Sequence, residues 1–295
     1  MNNKGLILIN SYYHGEDIDY QIKRLKEEFT KYSISLDVKT CNMMITYLDE
    51  GKIVLEKFTY DFVLYLDKDK YLARMLEKAG IRVFNKASSM AICDEKMLSY
   101  ISLSEAGIKM PKTLPGALCY QRTSIKKEII TEIEKKLTYP LIIKESYGSM
   151  GKQVYLINNR EELLEIGARI MTKPHLFQEY IRSSHGKDFR VIVINKRVVA
   201  SMLRKSKTDF RSNLSEGGFA YKTELPQAYQ EMAIKTAEIL DLDYCGVDIL
   251  IGEDQEPIFC EINANAFFTG IEKTTGINVA GLYCDHIYQT VYLTK

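Results

Sequence analysis

Two near-apolar segments, "CGVDILI" (Cys245 to Ile251) and "PIFCEIN" (Pro257 to Asn263), each carry one acid inside a run that otherwise reads as buried strand. Strands joined by so short a connection pair antiparallel. A turn centred on Asp254 and Gln255 sets Asp248 opposite Glu261, with about 4.5–5.5 Å between Cβ atoms of such partners. Asn263, two residues on, shares the face of Glu261. Three oxygen donors thus converge, a set that suits one or two magnesium or manganese ions, which take hard oxygen ligands and keep room for water and phosphate. A solvent-facing hairpin whose acids serve solubility would show the same alternation. The apolar flanks Val247, Ile249, Phe259 and Ile262 favour burial instead.

The chain of 295 residues is long enough for two or three packed units. Residues 1–86 alternate strand and helix: "LILI", a helical stripe through Ile18, Ile22, Leu25 and Phe29, "DFVLYL", "KYLARMLEKAG" and "IRVF". That order predicts a parallel sheet with crossover helices. Residues 87–175 form a second unit, starting with a helix from the caps Ser88 and Ser89 to Ala106. A helix around Ile125 to Leu137, the strand "PLIIK", a glycine loop, "VYLI" and a helix over Glu161 to Met171 follow. From residue 176 to 295 the pattern is antiparallel: "DFRVIVI", a turn at Asn195 and Lys196, "RVVASML", and the acid-bearing hairpin. Helices over Ala228 to Leu240 and Ile277 to Tyr292 cover it. The fold class is α/β, with α+β character in the last unit.

A metal with so few protein ligands needs phosphate partners. "KESYGSMGKQV" places Lys144 at a strand end before Gly148, Ser149 and Gly151, offering a point charge and backbone N–H groups to phosphate oxygens. It lacks the GxxxxGK[ST] pattern, and a plain hairpin loop would use the same glycines. Between Arg182 and Arg211 nine basic residues face two acids, in a chain of formal net charge +1. A solvated face is one reading. A nucleic-acid patch is another, which the absence of a binding motif and the slightly acidic remainder disfavour. Guanidinium groups facing phosphoryl charge fit better. His14, His175, His185 and His286 form no triad or zinc spacing, and the six cysteines form no CxxC pair. The thiols read as reduced, four of them in apolar surroundings. The apolar run after Gly5 is too short for a signal peptide or membrane span, so a cytoplasmic protein is expected.

The landmarks Lys96, Lys144, "GSMG", "QEYI", "DFR", "RSN", "GVDI" and "EIN", in that order, resemble the ATP-grasp ligases, and among them the RimK-type glutamate ligases. The likeness covers about residues 85–292 and is most specific in "DFRSNL", "GVDIL" and "GIEKTTGINVAG". It implies an ATP-grasp fold behind an N-terminal Rossmann-like domain at 1–86, with a small lid at 87–175 and a metal-bearing unit at 176–295. The resemblance implies that Lys96 and Lys144 reach nucleotide phosphates, together with Gly148, Ser149 and Gly151. Gln178, Glu179, Tyr180 and Ile181 would form the adenine hinge, and Asp188 the ribose-side acid. Arg211, Ser212 and Asn213 would contact phosphate, with Arg211, Arg190 and Arg204 stabilising transferred charge. Asp248, Glu261 and Asn263 match the metal ligands. The implied reaction joins a small or peptide carboxylate to an amine such as an amino acid, through an acyl phosphate made from ATP. Neither nucleic acid nor membrane is an expected partner, and a homo-oligomer is compatible. A nucleotide-binding scaffold without turnover is the alternative, which retention of the metal ligands and Arg211 disfavours. Where the ribosomal-protein ligases read Ala-Ser-Pro-Gly after the metal-binding Asn, this chain reads Ala264, Asn265, Ala266, Phe267 and then Phe268. At least one of these rings is expected to line the acceptor pocket.

Overall fold

The computed structural model describes residues 3–43, 46–149, 151–213 and 217–293. Met150 of the glycine loop and Leu214 of "DFRSNL" lie outside the described residues. The N-terminal unit runs β1 (Lys4–Ile9), α1 (Glu16–Phe29), β2 (Ser35–Thr40), a hairpin of β3 (Thr46–Asp49) and β4 (Lys52–Leu55), β5 (Phe62–Leu66), α2 (Lys70–Lys78) and β6 (Val83–Phe84). Its sheet has the order β2-β1-β5-β6 with every pair parallel, as the alternation predicts. Asp69 starts α2 by accepting the N–H groups of Tyr71 and Leu72, and Gly80, at φ 86, follows its end.

The next elements are α3 (Ala87–Asp94), α4 (Lys96–Ser102), β7 (Thr113–Pro115), α5 (Lys127–Lys136), β8 (Leu141–Glu145), β9 (Val154–Ile157), α6 (Arg160–Ile170) and β10 (His175–Glu179). The single helix expected through Ala106 is two, because Glu95 takes an extended conformation at φ −110. Ser88 and Ser89 do not cap it. The helix starts at Ala87, and the Ser89 hydroxyl donates to the Asp241 carbonyl at 3.1 Å. The expected unit boundary at residue 175 also needs correction. β10 pairs with β7 and β8 in a sheet ordered β7-β10-β8-β9, so it belongs to the central unit. The reason is apolar: Phe177 of β10 completes a core with Leu141, Ile143, Ile130, Ile133, Leu163 and Ile170.

The C-terminal unit comprises β11 (Lys187–Ile194), β12 (Arg197–Lys205), β13 (Phe219–Lys222), α7 (Gln227–Ile239), β14 (Tyr244–Ile251), β15 (Pro257–Asn263), α8 (Thr269–Thr275) and α9 (Val279–Tyr288). Its antiparallel order is β13-β12-β11-β14-β15. Asn195 and Lys196 both have positive φ, 46 and 60, as a tight hairpin turn of this hand requires. The unit does not keep its core to itself. Leu6, Leu8, Val63 and Tyr65 of the parallel sheet share one cluster with Val191, Val193, Val247 and Phe259. Their alternate neighbours Ile7, Leu64 and Phe84 share a second with Ile192, Tyr244, Phe268 and Tyr283. Two cores therefore run through both units.

Asn85 fastens the seam. Its side chain, 1% exposed, donates to the carbonyls of Tyr244 (2.8 Å) and Ala264 (2.7 Å) and accepts the N–H groups of Asp243 (2.7 Å) and Tyr244 (3.0 Å). Each buried group left unpaired costs about 1–3 kcal/mol. Asn85→Ala is expected to lower unfolding free energy by at least that amount, read as a lower urea midpoint with an unchanged slope.

Candidate active site

The β14–β15 hairpin brings Asp248 opposite Glu261, by a route that differs from the simple ladder. From the turn, Ile251 pairs with Pro257, Leu250 with Ile258 and Ile249 with Phe259; the register then shifts, and Asp248 pairs with Glu261 and Gly246 with Asn263. The uninterrupted ladder expected from Asp254 and Gln255 would have put Cys260 opposite Ile249. Instead Cys260 is the extra residue of a β-bulge, which re-aims side chains beside it. Asp248, Glu261 and Asn263 share one face, with the Asn263 amide donating to Glu261 Oε1 at 3.3 Å.

Neighbouring strands deliver cations to the same face. Arg190 of β11 stands opposite Asp248, and Asp188 opposite Arg204 of β12. Arg190 grips Asp248 with Nε and with Nη2, the latter at 2.7 Å to Oδ2. Arg204 holds Asp188 through Nε (2.8 Å) and Nη2 (2.5 Å), and its Nη2 is 3.0 Å from Asp248 Oδ2. Asp188, expected beside a ribose, is thus the partner of Arg204. Burial alone would raise the Asp248 pKa; the charges of Arg190 and Arg204 outweigh it and hold the carboxyl below its ordinary value. A carboxylate has about four lone-pair sites. With three contacts from the arginines, Asp248 keeps capacity for a cation.

The two lysines approach from the other side. Lys96, at the start of α4, is buried and donates to the Gly148 carbonyl at 3.2 Å. Burial lowers its pKa, against the pull of Glu261. Lys144, on β8, is buried with its Nζ 3.9 Å from Cys260 Sγ. Burial acts against its charge, yet Cys260, Tyr100 and Glu261 around it hold its pKa above the ordinary value. Gly148 and Gly151 have φ of 146 and 73, and a Cβ on Gly148 would stand 2.5 Å from Gln153 Oε1. Arg211 Nη1 donates to the Gly151 carbonyl at 2.6 Å, while Nε and Nη2 bind Asp209 at 2.9 and 2.8 Å. Ser212 is buried, and the Asn213 side chain lies against Gly151. Ser149 is exposed at the loop tip.

The "QEYI" segment links the central and C-terminal sheets. Gln178 is buried and donates to Thr113 Oγ1 (2.8 Å); the Glu179 N–H reaches the Lys112 carbonyl (2.8 Å). Tyr180 hydrogen-bonds His185, and the Ile181 carbonyl accepts the Ser184 N–H at 3.0 Å. The nine basic residues of 182–211 do not act as one patch. Arg190, Arg204 and Arg211 face the site, Lys205 and Lys207 lie over Tyr221 and Phe219, and Lys196 and Arg197 are exposed at a hairpin.

The sequence reading missed Tyr100, whose hydroxyl donates to the bulged Cys260 carbonyl at 2.6 Å, and Lys68, which lines the same cleft as Lys96, Glu261 and Asn263. The charged pair Asp67 and Lys68, just after the buried strand β5, was the signal for Lys68. All six cysteines are free, and Cys41, Cys93, Cys245 and Cys284 lie in or against the apolar clusters, as expected of four of them, while Cys260 borders the site. Of the two rings expected near the acceptor pocket, Phe268, at 1% exposure, fills the core against Tyr20. Phe267 stays half-buried and stacks on Tyr13 at 6.1 Å.

Among the described residues no three His, Cys, Asp or Glu side chains cluster to hold an ion alone. Two carboxylates and an amide oxygen fit magnesium or manganese, with phosphate and water completing the shell. No helix among the described residues is long and apolar enough to cross a membrane.

A model of the RimK-like ATP-grasp domain matches residues 93–287. The chain belongs to the RimK-like ATP-grasp family. N-acetylaspartylglutamate synthase A of Homo sapiens is 37% identical to it over 223 residues, or 75% of this chain. Beta-citrylglutamate synthase B of Homo sapiens is 35% identical over 223 residues. This RimK-like chain spans 56% of the length of each. The VanG D-Ala:D-Ser ligase structure from Enterococcus faecalis superposes with a TM-score of 0.75 at 18% identity, covering 97% of this chain and 99% of that one. That likeness carries the fold.

Removing one member of a buried ion-pair network leaves its partners charged and unmatched, at about 3–5 kcal/mol. Arg204→Met is expected to destabilise the protein by that order at pH 7, since Asp188 and Asp248 both lose a partner. Urea unfolding of the variant beside the parent checks it.

Proposed function

We propose that the chain is an ATP-dependent carboxylate–amine ligase that couples a short di- or tricarboxylic acid to an amino acid, with glutamate the first candidate. One observation carries the reading: Asp248, Glu261 and Asn263 share a face that Lys96, Lys144 and the glycine loop confront. The substrate class is suggested by the two human relatives, whose names describe synthases of glutamate conjugates.

In this reading Asp248, Glu261 and Asn263 would hold magnesium or manganese, up to two ions. The bound metal would supply positive charge against the phosphates of ATP. Lys96 and Lys144 bind phosphate oxygens, and Gly148, Ser149 and Gly151 offer N–H groups to them. Gln178 to Ile181 and Asp188 border the nucleoside side, and Ser212 and Asn213 flank the phosphates. Arg211, Arg190 and Arg204 neutralise charge that grows as a substrate carboxylate attacks the γ-phosphate, giving an acyl phosphate and ADP. The amine then displaces phosphate to form the amide. No side chain needs to serve as nucleophile.

The direct test mixes protein, ATP and magnesium with glutamate and a panel of short carboxylic acids, following phosphate release and product mass. Release that requires both an acid and an amine, with a mass equal to their sum less water, is the expected result. Release that ignores both overturns the reading. Glu261→Gln is expected to reduce turnover by at least about a hundredfold, the scale of losing one preorganised electrostatic contact in a reacting site. Its circular dichroism and urea midpoint should stay close to those of the parent. Near-normal turnover would remove Glu261 from the metal site.

A further inference from the structure

Lys68 enters the cleft from the N-terminal unit. It follows β5, at the C-terminal edge of the parallel sheet, the edge at which open α/β sheets meet their ligands. Its backbone is fixed from two sides. The Lys68 N–H donates to Asp67 Oδ1 at 2.6 Å, and Asn10 binds that carboxylate at 3.0 Å. Asn265, two residues beyond Asn263, donates to the Asp67 carbonyl at 2.7 Å. The base of the Lys68 side chain is therefore tied to the loop that leaves the metal strand. Its head is held less firmly: Nζ meets Asp94 Oδ1 at 2.6 Å, with the lysine side chain 50% exposed.

Charge in the cleft gives that ammonium a task. Arg190 and Arg204 are bound by Asp248 and Asp188, and Lys96 and Lys144 lie on the glycine-loop side. Lys68 is the cation that the N-terminal unit adds to the cleft lined by Lys96, Glu261 and Asn263, and its head is half exposed there. A solvated pair such as Lys68–Asp94 is worth little, so exchanging Asp94 for another carboxylate is an easy step.

We propose that Lys68 binds a carboxylate group of the acid substrate, releasing Asp94 as it does so. The proposal rests on the ligase reading for its substrate class, a short di- or tricarboxylic acid, but its test does not require turnover.

Lysine acetylation footprinting of the full chain, read by mass spectrometry, uses N-acetylaspartate, citrate and MgADP as separate probes. At least one acid should slow modification of Lys68, while MgADP should slow Lys96 and Lys144. Calorimetric titration of the protecting acid gives a second readout. Lys68→Gln should weaken acid binding about tenfold, the equivalent of one charge-assisted hydrogen bond, and Lys68→Arg should restore most of it. Asp94→Asn should tighten acid binding, because its competing carboxylate is gone. MgADP affinity should stay within about twofold in all three. A merely structural ion pair would make the Lys68→Gln and Asp94→Asn variants behave alike. Protection of Lys68 by MgADP alone, protection by neither acid, or equal effects of those two variants overturns the proposal. If an acid protects Lys68 but no acid and amine stimulate phosphate release, the ligase reading falls and the Lys68 site stands.

Discussion

The continuous ion-pair chain Asp188–Arg204–Asp248–Arg190 is the interaction on which the rest of the site depends. It crosses three strands of one sheet, and its members are almost wholly withdrawn from water. Charges so placed cannot drift, because each has lost its hydration and is compensated only by the next. The face is therefore assembled by folding itself, before any ligand arrives. Asp248 also stays ionised, so an incoming cation meets a carboxylate with no proton to displace.

The bulge at Cys260 has a related effect on the other wall. One additional residue on β15 keeps Glu261 level with Asp248 and brings the Cys260 thiol toward Lys144. The Tyr100 hydroxyl donates to the bulged carbonyl at 2.6 Å, giving a part-buried acceptor its partner. The irregularity in the ladder is thus satisfied locally, and the lysine and the carboxylates acquire a fixed separation. Bulges beside functional residues commonly do this work.

Much of this was legible in the sequence, for identifiable reasons. Alternation of apolar and acidic residues in two closely spaced strands was enough to pair Asp248 with Glu261, because strand period and turn length leave few registers. The bulge was not legible, since inserting Cys260 changes neither the composition nor the face of Glu261. The membership of β10 was hidden because "HLFQE" suits any antiparallel sheet, and only the core around Phe177 decides which. Which of Phe267 and Phe268 packs inward was not legible either, because neighbouring aromatics read alike and only the apolar layer that takes in Phe268 and Ile271 separates them. Lys68 lies nearly two hundred residues from Glu261 in sequence, and only the closing of the two shared cores brings them together.

The way those cores are divided decides which parts of the molecule are bound into one body. The parallel sheet and the large antiparallel sheet share two apolar layers and the four bonds of Asn85, so parting them would expose both layers to water. The central sheet has a core of its own around Phe177, yet Leu176 of the same strand joins the first shared layer, and Lys96 and Arg211 donate to carbonyls of its glycine loop. The cleft is thus floored by a seam that folding closes once, and β10 ties the central sheet to that seam with one side chain while giving the next to its own core.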